Sequence, residues 1–261
     1  MPATGPGATA VTRVPDEAAL AELGTRGDGP SGPGRRARLG ALPLPPVAVG
    51  VYAITAVCGL LDAASFLGLG QVFVEIMTGN LVFLAFVVGA SGLARPALTT
   101  PGVVPYVVAL SSFALGAVGG GRLVRAGESG RRWGFVLEGT LVGAAVVTTA
   151  VVHPGTDGHA RFAVIAILAT AMGIQNALMR RWGIPDLATN VMTLTLTGVL
   201  ADSTLGGGHN PRAVRRATSI LVFVVSAGVG AFLTRYGVLW PMLVAAALFC
   251  LALPVLVQPQ R

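Results

Sequence analysis

The sequence predicts an all-α fold, a polytopic membrane helix bundle, on three observations. Of 261 residues, 53% are hydrophobic and 11% charged, with a mean hydropathy of +0.74, against about 25% charged residues in a soluble domain. Apolar runs long enough to cross a bilayer, which takes about 20 residues per helix, recur between Pro43 and Pro259. All 18 basic residues are arginines gathered in short clusters between those runs, the distribution of membrane-protein loops and not of a nucleic-acid-binding face. An ordinary soluble enzyme and a nucleic-acid partner are thereby excluded.

Residues 1–42 carry no apolar run, are rich in Pro, Gly, Ala and Arg, and hold Asp16, Glu17, Glu22 and Asp28. They read as a disordered cytoplasmic tail. The first long apolar stretch begins only near Pro46, so no cleavable signal peptide is expected. Residues 43–258 form the membrane domain. Its apolar segments run roughly over 47–67, 72–90, 102–122, 134–152, 160–179, 184–203, 216–234 and 238–257.

Arginine decides how many of these eight cross. With eight crossings, nine arginines outside residues 1–34 fall on one side and seven on the other. If the second and sixth segments instead enter and leave on one side, as re-entrant or broken helices, thirteen face the cytoplasm and only Arg95, Arg161 and Arg235 face outward. Positive charge concentrates in cytoplasmic loops, which selects about six crossings plus two re-entrant or broken segments over seven or eight crossings. The expected location is the bacterial inner membrane, multi-pass, with the N-terminus cytoplasmic.

The same two segments belong to an internal repeat. Gly59-Leu60-Leu61-Asp62-Ala63 is followed by Met77-Thr78-Gly79-Asn80-Leu81, and Gly173-Ile174-Gln175-Asn176-Ala177 by Met192-Thr193-Leu194-Thr195-Leu196, at offsets of 114 and 115 residues. The halves, roughly 47–152 and 160–257, start three crossings apart and are therefore inverted. Inverted repeats with interrupted helices characterise transporters, whose sites lie near the midplane where the copies meet.

Intramembrane polar residues mark candidate sites. Asp62, Glu75 and Glu138 lie within apolar runs, where a charged acid costs roughly 3 kcal/mol on insertion scales. Thr55, Gly59, Asp62 and Ser65 form one small, polar helix stripe, which lines a cavity or packs against another helix. In the second segment Gln71, Glu75 and Thr78 stand at helical spacing, with the break expected at Gly79-Asn80, where Gly tolerates unusual dihedrals and Asn both donates and accepts. In the sixth, Asp186, Thr189, Asn190, Thr193 and Thr197 share a face after a Pro185-Asp186 helix start. Those residues bind solute, or satisfy themselves on backbone carbonyls.

Other features read structurally. Gly116 and Gly120 have the small-xxx-small spacing of close helix contacts. Glu138 is expected to pair with an arginine of Arg131-Arg132. Arg180 and Arg181 beside Trp182 fit an interfacial anchor, although Arg180 shares a face with Thr170, Gly173 and Asn176. Cys58 and Cys250 read as small buried hydrophobes. His153, His159 and His209 lie in loops, and no HExxH, GxSxG or phosphate-binding loop occurs, so neither enzyme activity, metal nor cofactor is expected.

Through Gly59-Leu60-Leu61-Asp62-Ala63, the stretch from Phe73 to Met77-Thr78-Gly79-Asn80, and Gly173-Ile174-Gln175-Asn176-Ala177, the sequence resembles the YoaK-like family of bacterial integral membrane proteins of unknown function. The resemblance spans roughly residues 45–257 and implies no substrate. The family's second copy has a Thr-Gly-Thr-Leu pattern where this chain has Thr193-Leu194-Thr195-Leu196.

The function expected is that of a permease for a small polar solute, with Asp62, Glu75, Thr78, Gly79, Asn80, Gln175, Asn176, Thr189, Asn190 and Thr193 as the solute-binding set. The alternatives are a non-transporting scaffold or accessory protein, and a membrane-embedded enzyme. The expected partners are the lipid bilayer, the solute and further copies of the chain.

Overall fold

A computed structural model describes residues 46–89, 102–154, 158–182, 192–209 and 212–258, all within the compact unit Leu44–Arg261; the tail expected over 1–42 lies outside them. The described residues form eight α-helices and no strand: α1 (Pro46–Gly68), α2 (Met77–Gly89), α3 (Val104–Arg125), α4 (Gly127–Val152), α5 (Ala160–Trp182), α6 (Met192–Ala201), α7 (Ala213–Thr234) and α8 (Leu239–Leu256). Six of them, α1, α3, α4, α5, α7 and α8, are long and apolar enough to cross a membrane. Over the described residues α2 spans 13 residues and α6 spans 10. At 1.5 Å per residue those stretches cover about 20 and 15 Å, against a hydrocarbon core of about 30 Å.

Contacts between helices fix their directions. α1 and α7 run parallel, because the Tyr52 hydroxyl donates to the Arg215 carbonyl at 3.4 Å, Gly59 faces Phe223 and Ser226, and Gly68 faces Thr234 and Val238. α3 and α5 also run parallel, Gly116 lying on Thr170 and Gly120 on Ile174 and Ala177. α4 and α8 run antiparallel: Arg131 donates to the Leu256 carbonyl, Gly139 faces Phe249, and the Thr149 hydroxyl meets Met242 Sδ at 3.5 Å. Because Gly50 also faces Leu256, and Gly134 faces Leu178, α1, α4 and α7 start at the end of the bundle where α3, α5 and α8 finish. Nine of the described arginines, Arg122, Arg125, Arg131, Arg132, Arg180, Arg181, Arg212, Arg215 and Arg216, sit at that end. Only Arg161 and Arg235 sit at the other.

α1 and α5 are the central helices, each 67% buried over its apolar window, whereas α3 and α7 are 17% buried. Val51, Ile54, Val57, Cys58 and Leu61 of α1 and Ile165, Leu168 and Met172 of α5 are fully enclosed. Leu115, Val147, Val151, Leu221 and Leu251 face outward, as residues meeting lipid do. Apolar attraction between helices vanishes in lipid, so close backbone approach must hold the bundle together. Glycine supplies it: a Cβ on Gly116 would strike the Thr170 carbonyl, and one on Gly173 the Phe113 carbonyl. Gly59 against α7 and Gly230 against Leu60 and Ala63 do the same for the other parallel pair.

Several expectations are corrected. α4 begins at Gly127 and not near residue 134, because Glu128 and Arg132 form an i,i+4 ion pair at 3.7 Å and Arg131 reaches the carbonyls of Leu256 and Gln258, capping α8. Among the described residues Glu138 therefore takes no arginine partner: it is fully buried, and neither carboxyl oxygen has a hydrogen-bond partner there. Cys58 is buried, but Cys250 is exposed, since α8 is apolar all round and turns one face to lipid. Pro185, Asp186, Thr189 and Asn190 lie outside the described residues.

Replacing Gly116 with Ala should force α3 and α5 apart and lower the thermal midpoint in detergent by more than about 5 °C. Gly119→Ala, whose new methyl would meet nothing within 4 Å, should leave the midpoint unchanged in the same assay.

Candidate functional site

The site is built around the break that separates α1 from α2. α1 stops at Gly68, where Leu69 N–H bonds the Ser65 carbonyl at 3.0 Å and Gln71 N–H the Phe66 carbonyl at 2.8 Å. Gly70 (φ 99°) and Gln71 (φ 58°) both take left-handed dihedrals, natural for Gly and costly for Gln. The chain then doubles back without regular structure as far as Ile76. The helical Gln71-Glu75-Thr78 stripe expected from spacing does not form, and the break falls before Met77, not at Gly79-Asn80.

Two side chains hold the doubled-back segment. Asp62 Oδ1 accepts the N–H groups of Val74 and Glu75, both at 2.9 Å. Asn80 clasps Phe73 from the other side, its Oδ1 accepting the Phe73 N–H at 3.0 Å and its Nδ2 donating to the Phe73 carbonyl at 2.7 Å. Nδ2 also meets Met77 Sδ at 3.5 Å. Gly79 must be small because a Cβ there would lie 2.9 Å from the Phe73 ring. Phe73 in turn stacks on Phe66 with centroids 4.6 Å apart, and Phe83 lies 6.0 Å from both Phe66 and Tyr106. α2 thus starts level with Asp62 and climbs back past Phe66 toward the end at which α3 begins. The segment enters and leaves on the arginine-poor side.

α6 does the converse. Arg216, near the start of α7, donates to the Gly198 carbonyl at 2.7 Å and pairs with Asp202 at 2.6 Å, which puts the close of α6 at the arginine-rich end. Its first residues, Met192 and Thr193, border the same cavity as the start of α2. Leu194, in the position of Gly79, is 67% exposed. Thr195, aligned with Asn80, is buried.

That cavity measures about 370 Å³ and lies between Glu75 to Thr78 at the start of α2, Met192 and Thr193 of α6, Asn176 of α5, Phe113 of α3 and Phe223 of α7. Four residues of the expected binding set, Glu75, Thr78, Asn176 and Thr193, therefore surround one space. Glu75 is 6% exposed, its Oε1 has no hydrogen-bond partner among the described residues, and Asn176 lines the same space beside it. Asn176 Nδ2 also donates to the Met172 carbonyl at 2.9 Å. The rest of the set lies around this space: Asp62, Gly79 and Asn80 shape the break, Gln175 donates to Cys58 Sγ at 2.9 Å, and Thr189 and Asn190 lie outside the described residues. Thr55, Ser65 and Thr197 bond carbonyls of their own helices, the packing alternative for each stripe. Phe113 and Phe223 escaped the sequence reading, because a lone aromatic in an apolar helix carries no signal of facing a cavity.

Asp62→Ala leaves two buried N–H groups unbonded and should cost about 2–5 kcal/mol, read as faster hydrogen exchange at Val74 and Glu75. Asp62→Asn, whose amide oxygen still accepts both, should exchange nearly as slowly as the parent. Asn80→Asp turns a carboxylate on the Phe73 carbonyl and should loosen the segment as Asp62→Ala does.

A model of a family described as protein of unknown function (DUF1275) matches residues 50–256. No curated protein and no solved structure matches the chain, so no named relative extends the YoaK-like resemblance. The matched span runs from the second turn of α1 to the end of α8, with both sides of the central cavity inside it, and the chain belongs to this uncharacterised DUF1275 family of membrane-helical proteins.

Proposed function

We propose that the protein is a bacterial inner-membrane permease for a small polar solute, which binds in the cavity between the starts of α2 and α6. One observation carries the reading: two apolar helices, each below crossing length over the described residues, meet at a polar space lined by the buried Glu75, whose Oε1 has no hydrogen-bond partner among the described residues. Broken helices meeting at the midplane are how transporters place polar groups at depth without exposing backbone to lipid.

Helix packing supports two inverted halves. Exchanging α1–α4 with α5–α8 turns the α3–α5 contact into α7–α1, α4–α5 into α8–α1, and α2–α3 into α6–α7, all of which are packed pairs. Gly116 and Gly230 occupy matching contacts at the 114-residue offset that relates Gly59 to Gly173. The arginine-rich end faces the cytoplasm by the positive-inside rule, and with it the start of α1.

A scaffold without transport is the second reading, favoured by Asp62 and Asn80, which commit their bonded atoms to backbone and not to the cavity.

Two measurements test these readings. In a Cys58→Ser, Cys250→Ser background, a membrane-impermeant thiol reagent added to intact cells should label Tyr236→Cys and not Ser129→Cys; the reverse would overturn the orientation. The purified full chain in liposomes should take up at least one small polar solute faster than empty vesicles. Thr193→Trp, which fills the cavity, should abolish that uptake while leaving the thermal midpoint within about 2 °C. Parent uptake no faster than that of empty vesicles for neutral, cationic and anionic solutes would favour the scaffold.

A further inference from the structure

A second cavity, of about 700 Å³, opens at the arginine-rich end between α3 and α5. Arg125, Arg180 and Arg181 line it, and no acid does so among the described residues. Among the described residues none of the three, all of which are exposed, takes part in an ion pair, whereas Arg132 is paired with Glu128 and Arg216 with Asp202. Its inner wall is formed by Phe113 and Asn176, and the same two residues wall the central cavity. The two spaces therefore meet across Phe113 and one buried amide, Asn176, 8% exposed, with Glu75 on the far side.

We propose that the solute is a small anion, a carboxylate or tetrahedral oxyanion, which enters from the arginine-rich end and shares the central cavity with a proton carried on Glu75. The assignment rests on the permease reading above. Three guanidinium groups around a concave, low-dielectric mouth concentrate anions and repel cations, and the planar fork of Arg suits carboxylate and phosphate groups. Further in, the start of α2 offers the positive end of a helix dipole.

Glu75 lines that inner space, and an ionised carboxylate there would repel an anion. Protonated, its carboxyl offers a hydrogen-bond donor in place of that negative charge. Asp62 is bound to the N–H groups of Val74 and Glu75, Cys58 to Gln175, and Glu138 lies farther off on α4; these are the titratable groups around it. The proton arrives with the anion, rests on the Glu75 carboxyl and leaves with the anion, and no covalent bond to the solute forms or breaks.

The test uses the purified full chain in liposomes with labelled acetate, sulfate and inorganic phosphate, and with glycerol and ethylammonium as neutral and cationic probes. The expected result is uptake of at least one anion, accelerated by an inward proton gradient and weakened by added salt. Joint replacement of Arg125, Arg180 and Arg181 by Gln should raise its half-saturation concentration about tenfold, and Glu75→Gln should remove the response to the gradient. Thermal midpoints confirm that each variant is folded.

Uptake of glycerol or ethylammonium without any anion would overturn the anion assignment and leave the permease reading standing; uptake of none of the probes would end both. The arginines could instead hold anionic lipid headgroups. Retention of phosphatidylglycerol through detergent purification, lost in the triple variant while anion uptake is unchanged, would assign them to lipid and overturn the proposal.

Discussion

Everything distinctive about this molecule depends on one carboxylate oxygen accepting two consecutive peptide N–H groups. In the apolar interior of a membrane bundle, a backbone that leaves the helix must find partners for its polar groups or lose several kcal/mol for each. Asp62 Oδ1 meets Val74 and Glu75 at the point where the chain has turned and is running back into the bundle. Asn80 repeats the service for Phe73 with both of its polar ends. With those groups satisfied, α2 can begin at depth and end on the side from which it came.

The cavity follows from that break. A continuous helix would have filled the space between α3, α5 and α7 with side chains; a helix that starts level with Asp62 leaves room beside its first turn. α6 approaches from the opposite end, and the two short helices share the space with Asn176 and two phenylalanines. The long helices stay close through glycine, so they frame the gap without collapsing into it. The motifs thereby divide their labour: Gly59 and Gly173 bring parallel helices together, Asp62 and Asn80 hold the break, and Glu75 and Asn176 face the cavity.

Charge is arranged along the same axis. Nine described arginines lie at one end of the bundle and two at the other. Some have structural work, Arg131 capping α8 and Arg216 tying α6 to α7. Arg125, Arg180 and Arg181 instead surround an opening that reaches Asn176.

The sequence by itself determined the membrane class, the six long helices, the two short segments and the asymmetry of arginine, because each depends on a sum over many residues: apolar length, loop charge, or paired motifs repeated 114 and 115 residues apart. It also determined that Asp62, Glu75, Asn80 and Asn176 are exceptional, since polar groups in apolar runs need partners wherever the chain goes. Tertiary structure alone decided which partner each one takes. Helical spacing joined Gln71, Glu75 and Thr78, but the left-handed turn at Gly70 and Gln71 and the pull of Asp62, twelve residues before Val74, outweighed it. Proximity to two arginines suggested a partner for Glu138, yet the end of α8 offered Arg131 unbonded carbonyls at closer range. Local pattern specifies what a residue requires; only the packed bundle specifies where that requirement is met.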